Sequence, residues 1–148
     1  MKFIHNDTDP AKAQASNIKT SYKNGTRYYL VEGASYPSIT SVLGSNPEKK
    51  RSLTKWRKRI GISEANKIST KAAKRGTTVH QICEDYLNNS SDYINGAMPD
   101  SVEMFSSIKP ILDRSLGIIN AQEVALYSSR LGVAGRVDCI AEWDGTLS

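Results

Sequence analysis

The chain has 148 residues, enough for one globular domain with a core, and 39% of them are apolar. This composition excludes disordered and fibrous proteins, and no apolar run reaches the ~20 residues that a membrane span requires. Two cysteines, Cys83 and Cys139, fit a reducing compartment, and the charged start is not followed by the apolar segment of a secretory signal. We therefore expect a cytoplasmic protein that does not bind membranes.

The net charge of +5 conceals a strong asymmetry along the chain. Residues 1–76 contain 16 Lys/Arg and 5 Asp/Glu, whereas residues 77–148 contain 4 and 10. A basic lobe beside an acidic one is typical of a polyanion-binding surface next to a carboxylate-rich site. A solvated basic helix surface explains the charge alone equally well.

The first elements are predicted from turn and cap residues. Residues 1–21 form a polar lead-in, and residues 22–31 form a hairpin around an Asn-Gly turn. A short helix follows over residues 36–44. Asn46, with proline and glutamate after it, opens a second helix that runs to about residue 60. This helix has only a thin apolar stripe, so we expect it to cross a surface.

The acidic half begins with helices and ends with strands. Helical periodicity covers residues 63–74 and 77–87, and a further helix covers 100–116, where Pro110 is expected to bend it or divide it. From residue 117 the period changes to two. Residues 121–128 and 134–143 are therefore predicted to be paired strands, and the second ends in an Asp-Gly turn.

One imidazole and several acids form the candidate chemical site. His80 and Glu84 lie one turn apart on the same side of a predicted helix. Asp138 lies on the polar face of the last long strand, and Glu123 lies on the strand before it. An imidazole with two carboxylates would suit a divalent ion, Mg²⁺ or Mn²⁺. A lone histidine at a helix edge is otherwise an ordinary surface residue.

Several motifs in this order resemble the RecB-like exonuclease branch of the PD-(D/E)xK nuclease superfamily. They are Arg-Gly-Thr-Thr-Val-His over residues 75–80, Glu84, Glu123 and Gly-Arg-Val-Asp over 135–138. Residues 36–43 and Trp56 also resemble the N-terminal lobe of that group. The group includes the mitochondrial genome maintenance exonuclease and phage exonucleases. The resemblance covers residues 22–148, and it depends on the order and spacing of the motifs together.

The resemblance implies an α+β fold: a restriction-endonuclease-like core with an incomplete mixed sheet over 77–148 and a helical, basic DNA-binding lobe over 22–76. It also implies a metal-dependent DNA exonuclease that acts on single strands in recombination, repair or phage genome processing. By this resemblance His80 and Asp138 match the family's metal ligands. On the residues themselves, Glu123 is either a further catalytic acid at the same site or an ordinary acid at a strand edge. Glu84 is either a ligand or partner of His80, or an acid with no role in the site. No small-molecule cofactor is expected.

The family pattern also requires an acid and a lysine, one residue apart, on the next strand. The expected position of that strand begins near Thr146, and the sequence ends at Ser148, so the chain as written is expected to be truncated and nearly inactive. The alternative from another class is a non-catalytic module that binds single-stranded nucleic acid. A zinc site from His80, Cys83 and Cys139 is a weak signal because no C-x-x-C pair is present.

Basic, hydroxyl and aromatic residues are the candidate DNA contacts, either to phosphates or, for the tryptophan, to a base. Each has a structural alternative: helix capping for the hydroxyls, the core for Trp56 and solvated surface for the cations. The set is Ser38, Thr40, Lys55, Trp56, Arg57, Lys71, Lys74, Arg75 and Arg136.

Overall fold

The computed structural model describes residues 2–148. Its elements are α1 (Pro10–Ala15), β1 (Lys19–Lys23), β2 (Thr26–Val31), β3 (Ala34–Pro37), α2 (Ile39–Gly44), α3 (Pro47–Ile60), α4 (Ile62–Leu87), α5 (Pro99–Ser115), β4 (Leu116–Ser128), β5 (Val133–Trp143) and β6 (Thr146–Leu147). Helices and two three-stranded sheets make the fold α+β, which confirms the predicted class. None of the helices described over 2–148 is long and apolar enough to cross a membrane.

The contacts divide the described chain into two compact units. The first unit contains the segment that ends at His5, Trp56–Ile119 and Ala141–Ser148, and the second contains Asn6–Lys55 and Asn120–Ile140. These bounds do not coincide with the predicted lobes. Each unit is built from segments that are distant in the sequence, because β4 and β5 contribute residues to both units.

The first sheet lies in the second unit, has the strand order β1-β2-β3 and is antiparallel. Asn24 and Gly25 have φ values of +51° and +74°, so the predicted hairpin with its type I′ turn is confirmed. A second two-residue turn follows at Glu32 and Gly33, with φ values of +49° and +83°. This turn adds β3, a strand that the sequence analysis did not predict.

The helix predicted over residues 36–44 was wrong at its start. Tyr36 and Pro37 belong to β3, where Tyr36 pairs with Tyr29, and α2 begins only at Ile39. A proline is tolerated on an edge strand because its missing N–H can face away from the ladder. Strand pairing therefore outweighs the local helical pattern over these two residues.

The first 21 residues are more ordered than a loose lead-in. Asp9 accepts a hydrogen bond from the backbone N–H of Ala11 at 2.8 Å, and Pro10 occupies the first turn of α1. An acidic cap followed by proline is a standard helix start, and this was the signal that the sequence analysis missed. Phe3 is also buried, in the core of the first unit.

The basic helix α3 begins as predicted. The Asn46 side chain accepts a hydrogen bond from the backbone N–H of Glu48 at 2.9 Å, which satisfies one of the unpaired donors at the helix start. No residue of α3 is buried, in agreement with its thin apolar stripe. Gly61, with φ +87°, separates α3 from α4, and α4 then continues for 26 residues through Gly76 without a break.

Aromatic rings form the core of the first unit. Tyr86 of α4 lies 5.2 Å from Phe105 of α5 and 5.3 Å from Phe3, each in edge-to-face geometry. Such pairs add to the free energy gained by burial alone. Pro110 lies inside α5 without dividing it, so the predicted division does not occur.

The second sheet has the order β4-β5-β6. Gly132, with φ +65°, closes the connection between β4 and β5, and its N–H donates to the Ser128 carbonyl at 2.9 Å. Asp144 and Gly145, at φ +48° and +80°, form the predicted turn into β6, and the β5–β6 pairing is antiparallel. The predicted mixed sheet was wrong for the described strands, because parallel pairing is confined there to isolated bridges such as Ser38 with Ala134.

Candidate metal centre and nucleic-acid surface

Two carboxylates meet on the β4–β5 part of the second unit. Glu123 of β4 and Asp138 of β5 each offer an oxygen, and these oxygens lie within 4.8 Å of one another. Two oxygens that bind one Mg²⁺ or Mn²⁺ at about 2.1 Å lie at most about 4.2 Å apart, so the Glu123 and Asp138 oxygens are close enough to be candidates for one ion. Two hard oxygen donors are also the chemistry that these ions prefer.

The Glu123 carboxylate is already paired with a cation of its own unit. The Arg136 Nε donates to Glu123 Oε2 at 2.6 Å, and the two side chains are 55% and 18% exposed respectively. Arg136 was predicted as a DNA contact, and the structure places it against a candidate ligand. A guanidinium in this position holds the carboxylate in one orientation, and a metal ion would compete with it for the same oxygen.

The backbone at Glu123 adopts an uncommon conformation. Its φ is +53°, in the left-handed region that non-glycine residues rarely occupy, although it lies within a 13-residue strand. An extra left-handed residue within a strand is typical of a β-bulge, which alters the direction in which a side chain points. Strained backbone of this kind is concentrated at functional sites.

His80 and Glu84 lie one turn apart on α4, in the first unit. His80 is exposed and Glu84 is half-buried. Ile82 and Tyr86 are buried on the neighbouring face. A metal-bound imidazole usually donates its second N–H to a carboxylate or carbonyl, and Glu84 has the spacing for that role.

The candidate DNA contacts on α3 and α4 differ in exposure. Lys55, Lys71 and Lys74 are exposed, whereas the remaining three are half-buried: Trp56, Arg57 and Arg75. Trp56 is therefore neither a core residue nor a fully exposed stacking platform. Arg57 donates a hydrogen bond to the Asn66 side chain, which draws its guanidinium towards α4.

Ser38 does not lie on a surface open to DNA. It is fully buried, and its hydroxyl is bonded to that of Thr40 at 2.7 Å. Its side chain does not cap α2 either, so neither predicted role of Ser38 applies. Thr40 is exposed and stays a predicted phosphate contact.

Both cysteines are free and half-buried. Burial raises the pKa of the Cys83 thiol, and burial together with the negative charge of Asp138 raises the pKa of the Cys139 thiol. A raised pKa disfavours the thiolate that both zinc binding and nucleophilic attack require. The thiols therefore have the character of small apolar side chains.

The sequence analysis missed a polar cluster in the first unit. The Tyr86 hydroxyl donates to Asp113, and Lys109 Nζ lies 2.7 Å from the other oxygen of that carboxylate. Burial alone would raise the pKa of Asp113, but the hydrogen bonds from Lys109 and Tyr86 outweigh it and lower that pKa. The four-residue spacing of Lys109 and Asp113 was the available signal.

No protein-family model matches the chain, and no curated protein matches it either.

Proposed function

We propose that the chain is the core of a metal-dependent deoxyribonuclease of the PD-(D/E)xK class, with a restriction-endonuclease-like fold. Its substrate is single-stranded DNA, digested as an exonuclease in recombination, repair or phage genome processing. The observation that carries the proposal is the carboxylate pair of Glu123 and Asp138, whose oxygens lie within 4.8 Å of one another.

The proposed metal ligands of the second unit are Asp138 and Glu123, two oxygen donors that suit Mg²⁺ or Mn²⁺. The family resemblance adds His80 as a further proposed ligand. Glu84 orients His80 by accepting a hydrogen bond from its second nitrogen. When bound, the ion would lower the pKa of a water molecule and neutralise charge on the phosphoryl group under attack.

The residues of this chain contribute orientation and charge to the same reaction. Arg136 fixes the Glu123 carboxylate before an ion arrives. With an ion bound at that oxygen, the Arg136 guanidinium would be available to a phosphate, for which its planar donors are well suited. Phosphate contacts from Lys55, Lys71, Lys74 and Arg75 would hold the strand with little regard to sequence.

Metal binding is the direct test of the proposal. Titration calorimetry with Mn²⁺ on the whole chain is expected to give one site, and Asp138→Asn and Glu123→Gln are expected to weaken it at least tenfold. Asp92→Asn and Glu103→Gln are matched controls, because each removes one charge from an exposed acid outside the proposed site. Broadening of the His80 ring signals by Mn²⁺ in NMR reports the third ligand.

The family's remaining acid and lysine belong to the strand after the Asp-Gly turn, and Thr146 and Leu147 of β6 are neither. Equal Mn²⁺ affinity in Asp138→Asn and the unaltered chain would refute the proposal.

The second candidate is a non-catalytic module that binds single-stranded nucleic acid. It is favoured by α3, a helix with no buried residue and three basic residues in its last turn. It predicts DNA binding in EDTA together with no measurable Mn²⁺ site, which is the result that separates the two candidates.

A further inference from the structure

A stripe of polar side chains runs along α4 and lines a cavity of about 700 Å³ in the first unit. Its members recur at intervals of three and four residues, so they share one face of the helix. Four are cations, and donors with hydroxyl or amide groups lie between them: Lys67, Lys71, Lys74, Arg75, Asn66 and Thr70. Apart from α4, the lining comes from the beginning of α5 and the residue before it.

The charge of this cavity is strongly one-sided. The α4 residues that line it include no acid, and the lining acid on α5 is Asp100. Lys67 also has Glu64 nearby at 3.8 Å, but the side chains are 74% and 58% exposed, and such surface pairs contribute little. Acids one turn from these bases would pair with them, and the α4 lining contains none. This face instead complements a row of negative charges.

The basic residues of the α4 stripe follow the helix towards His80. Lys67, Lys71 and Lys74 occur about once per turn, and a turn advances about 5.4 Å along the axis. Arg75 precedes His80 by five residues, or about 7.5 Å of helix. Regularly repeated cations suit an extended polyanion better than one compact ion, because several charges can be neutralised at once.

The size of the cavity favours one strand over two. A volume of 700 Å³ equals a cube with an edge of roughly 9 Å. A duplex is wider than its own major groove, which is ~12 Å across, so a duplex does not fit into this cavity. A single strand can enter such a space with its phosphates towards the cations. Met98, which is 67% exposed, lies on the cavity wall and offers an apolar contact to a base.

We propose that this α4 stripe is a track for the backbone of single-stranded nucleic acid, and that it neutralises two or three successive phosphates on the way to the turn that carries His80. The proposal rests on the proposed function, since it names residues that would bind the substrate of that function. It adds Lys67, Asn66 and Thr70 to the predicted contacts and makes them one continuous site.

The test is fluorescence anisotropy of a short labelled oligothymidylate at several salt concentrations, with EDTA present. Binding to a single strand weakens with log salt by a slope of about −0.7 for each phosphate neutralised. The double variant K71Q/K74Q should therefore lower the slope by about 1.4 and weaken binding at least tenfold. The control is K19Q/K23Q, which removes the same charge from exposed lysines of β1, outside the cavity.

Equal losses in the two double variants would overturn the track, because only the general charge of the chain would then matter. A duplex of the same length that binds as tightly as the single strand would also overturn it. Mn²⁺ titration of K71Q/K74Q distinguishes this failure from that of the proposed function. The track predicts unchanged Mn²⁺ affinity in K71Q/K74Q and unchanged DNA binding by the control variant Asp92→Asn in EDTA.

Discussion

Gly135 shows how a single residue positions the candidate centre. It lies in the Gly-Arg-Val-Asp motif, and a Cβ at this position would approach Ile39 Cγ2 of α2 to 2.9 Å. Real Cβ atoms do not come so close, and the β-branched Ile39 has little freedom to move away. The glycine is therefore required for close packing of β5, which carries Arg136 and Asp138, against the start of α2.

Replacement of Gly135 by alanine is expected to destabilise the protein by about 1–3 kcal/mol, the usual cost of overpacking. Urea unfolding measures the change. Gly44→Ala serves as the control, because a Cβ at Gly44 meets no atom within 4 Å, and it should cost nothing. The double variant with Ile39→Ala should recover part of the loss; if it loses stability additively, the contact is not the cause.

The polar cluster of Tyr86, Lys109 and Asp113 gives the protein a specific pH dependence. Because hydrogen bonds from Lys109 and Tyr86 lower the pKa of Asp113 in the folded state, this carboxylate stabilises the fold above its ordinary titration range. The contribution is lost as the pH falls through the lowered pKa, since folding then requires a proton to be displaced.

The Asp113→Asn variant is therefore expected to have a lower free energy of unfolding than the unaltered chain at neutral pH. This difference should shrink below about pH 4. Urea midpoints measured down the pH range follow it. Glu103→Gln, on the exposed side of the same helix, should give a difference that hardly changes. A pH-independent difference for Asp113→Asn would contradict the assigned role.

At the scale of the element, most of the correctly predicted helix and strand boundaries came from turn and cap residues. The Asn24-Gly25 and Asp144-Gly145 turns and the Asn46 cap are short-range features whose geometry depends on the residues themselves. The errors arose where pairing partners decide the outcome. The local sequence around Tyr36 favoured a helix. Its strand partner, Tyr29, lies before the turn at Glu32 and Gly33, which the sequence analysis did not recognise.

The candidate site was predicted only in part. The period-two alternation of β5 indicated that Asp138 points away from the apolar face, and it is exposed. The pairing of Arg136 with Glu123 and the left-handed backbone at Glu123 were not foreseen. Both depend on the exact alignment of neighbouring strands, which the alternation of one strand does not determine.

At the scale of the whole molecule, the second unit depends on two distant parts of the chain. Residues 6–55 contain the first sheet and α2, and residues 120–140 supply the strands that they pack against. Tyr36 lies 5.4 Å from Tyr127, ring centre to ring centre, and Ser38 is bridged to Ala134. Contacts between the two segments cannot form within the first segment alone.

A fragment of residues 6–55 is therefore expected to remain unfolded. Its amide NMR signals should show narrow dispersion, and urea should produce no cooperative transition, whereas the whole chain should show both features of a folded protein. A well-dispersed spectrum from the fragment would contradict the assignment of both segments to one unit.

The left-handed residue in β4 has a consequence for attempts to stabilise this protein. Glycine or asparagine would occupy that conformation at lower cost than glutamate does, so selection for heat resistance alone would tend to replace Glu123. Such a replacement would remove the acidic group that Arg136 now holds. At residue 123, a substitution that raises the stability of the fold would therefore remove a carboxylate that the proposed chemistry requires.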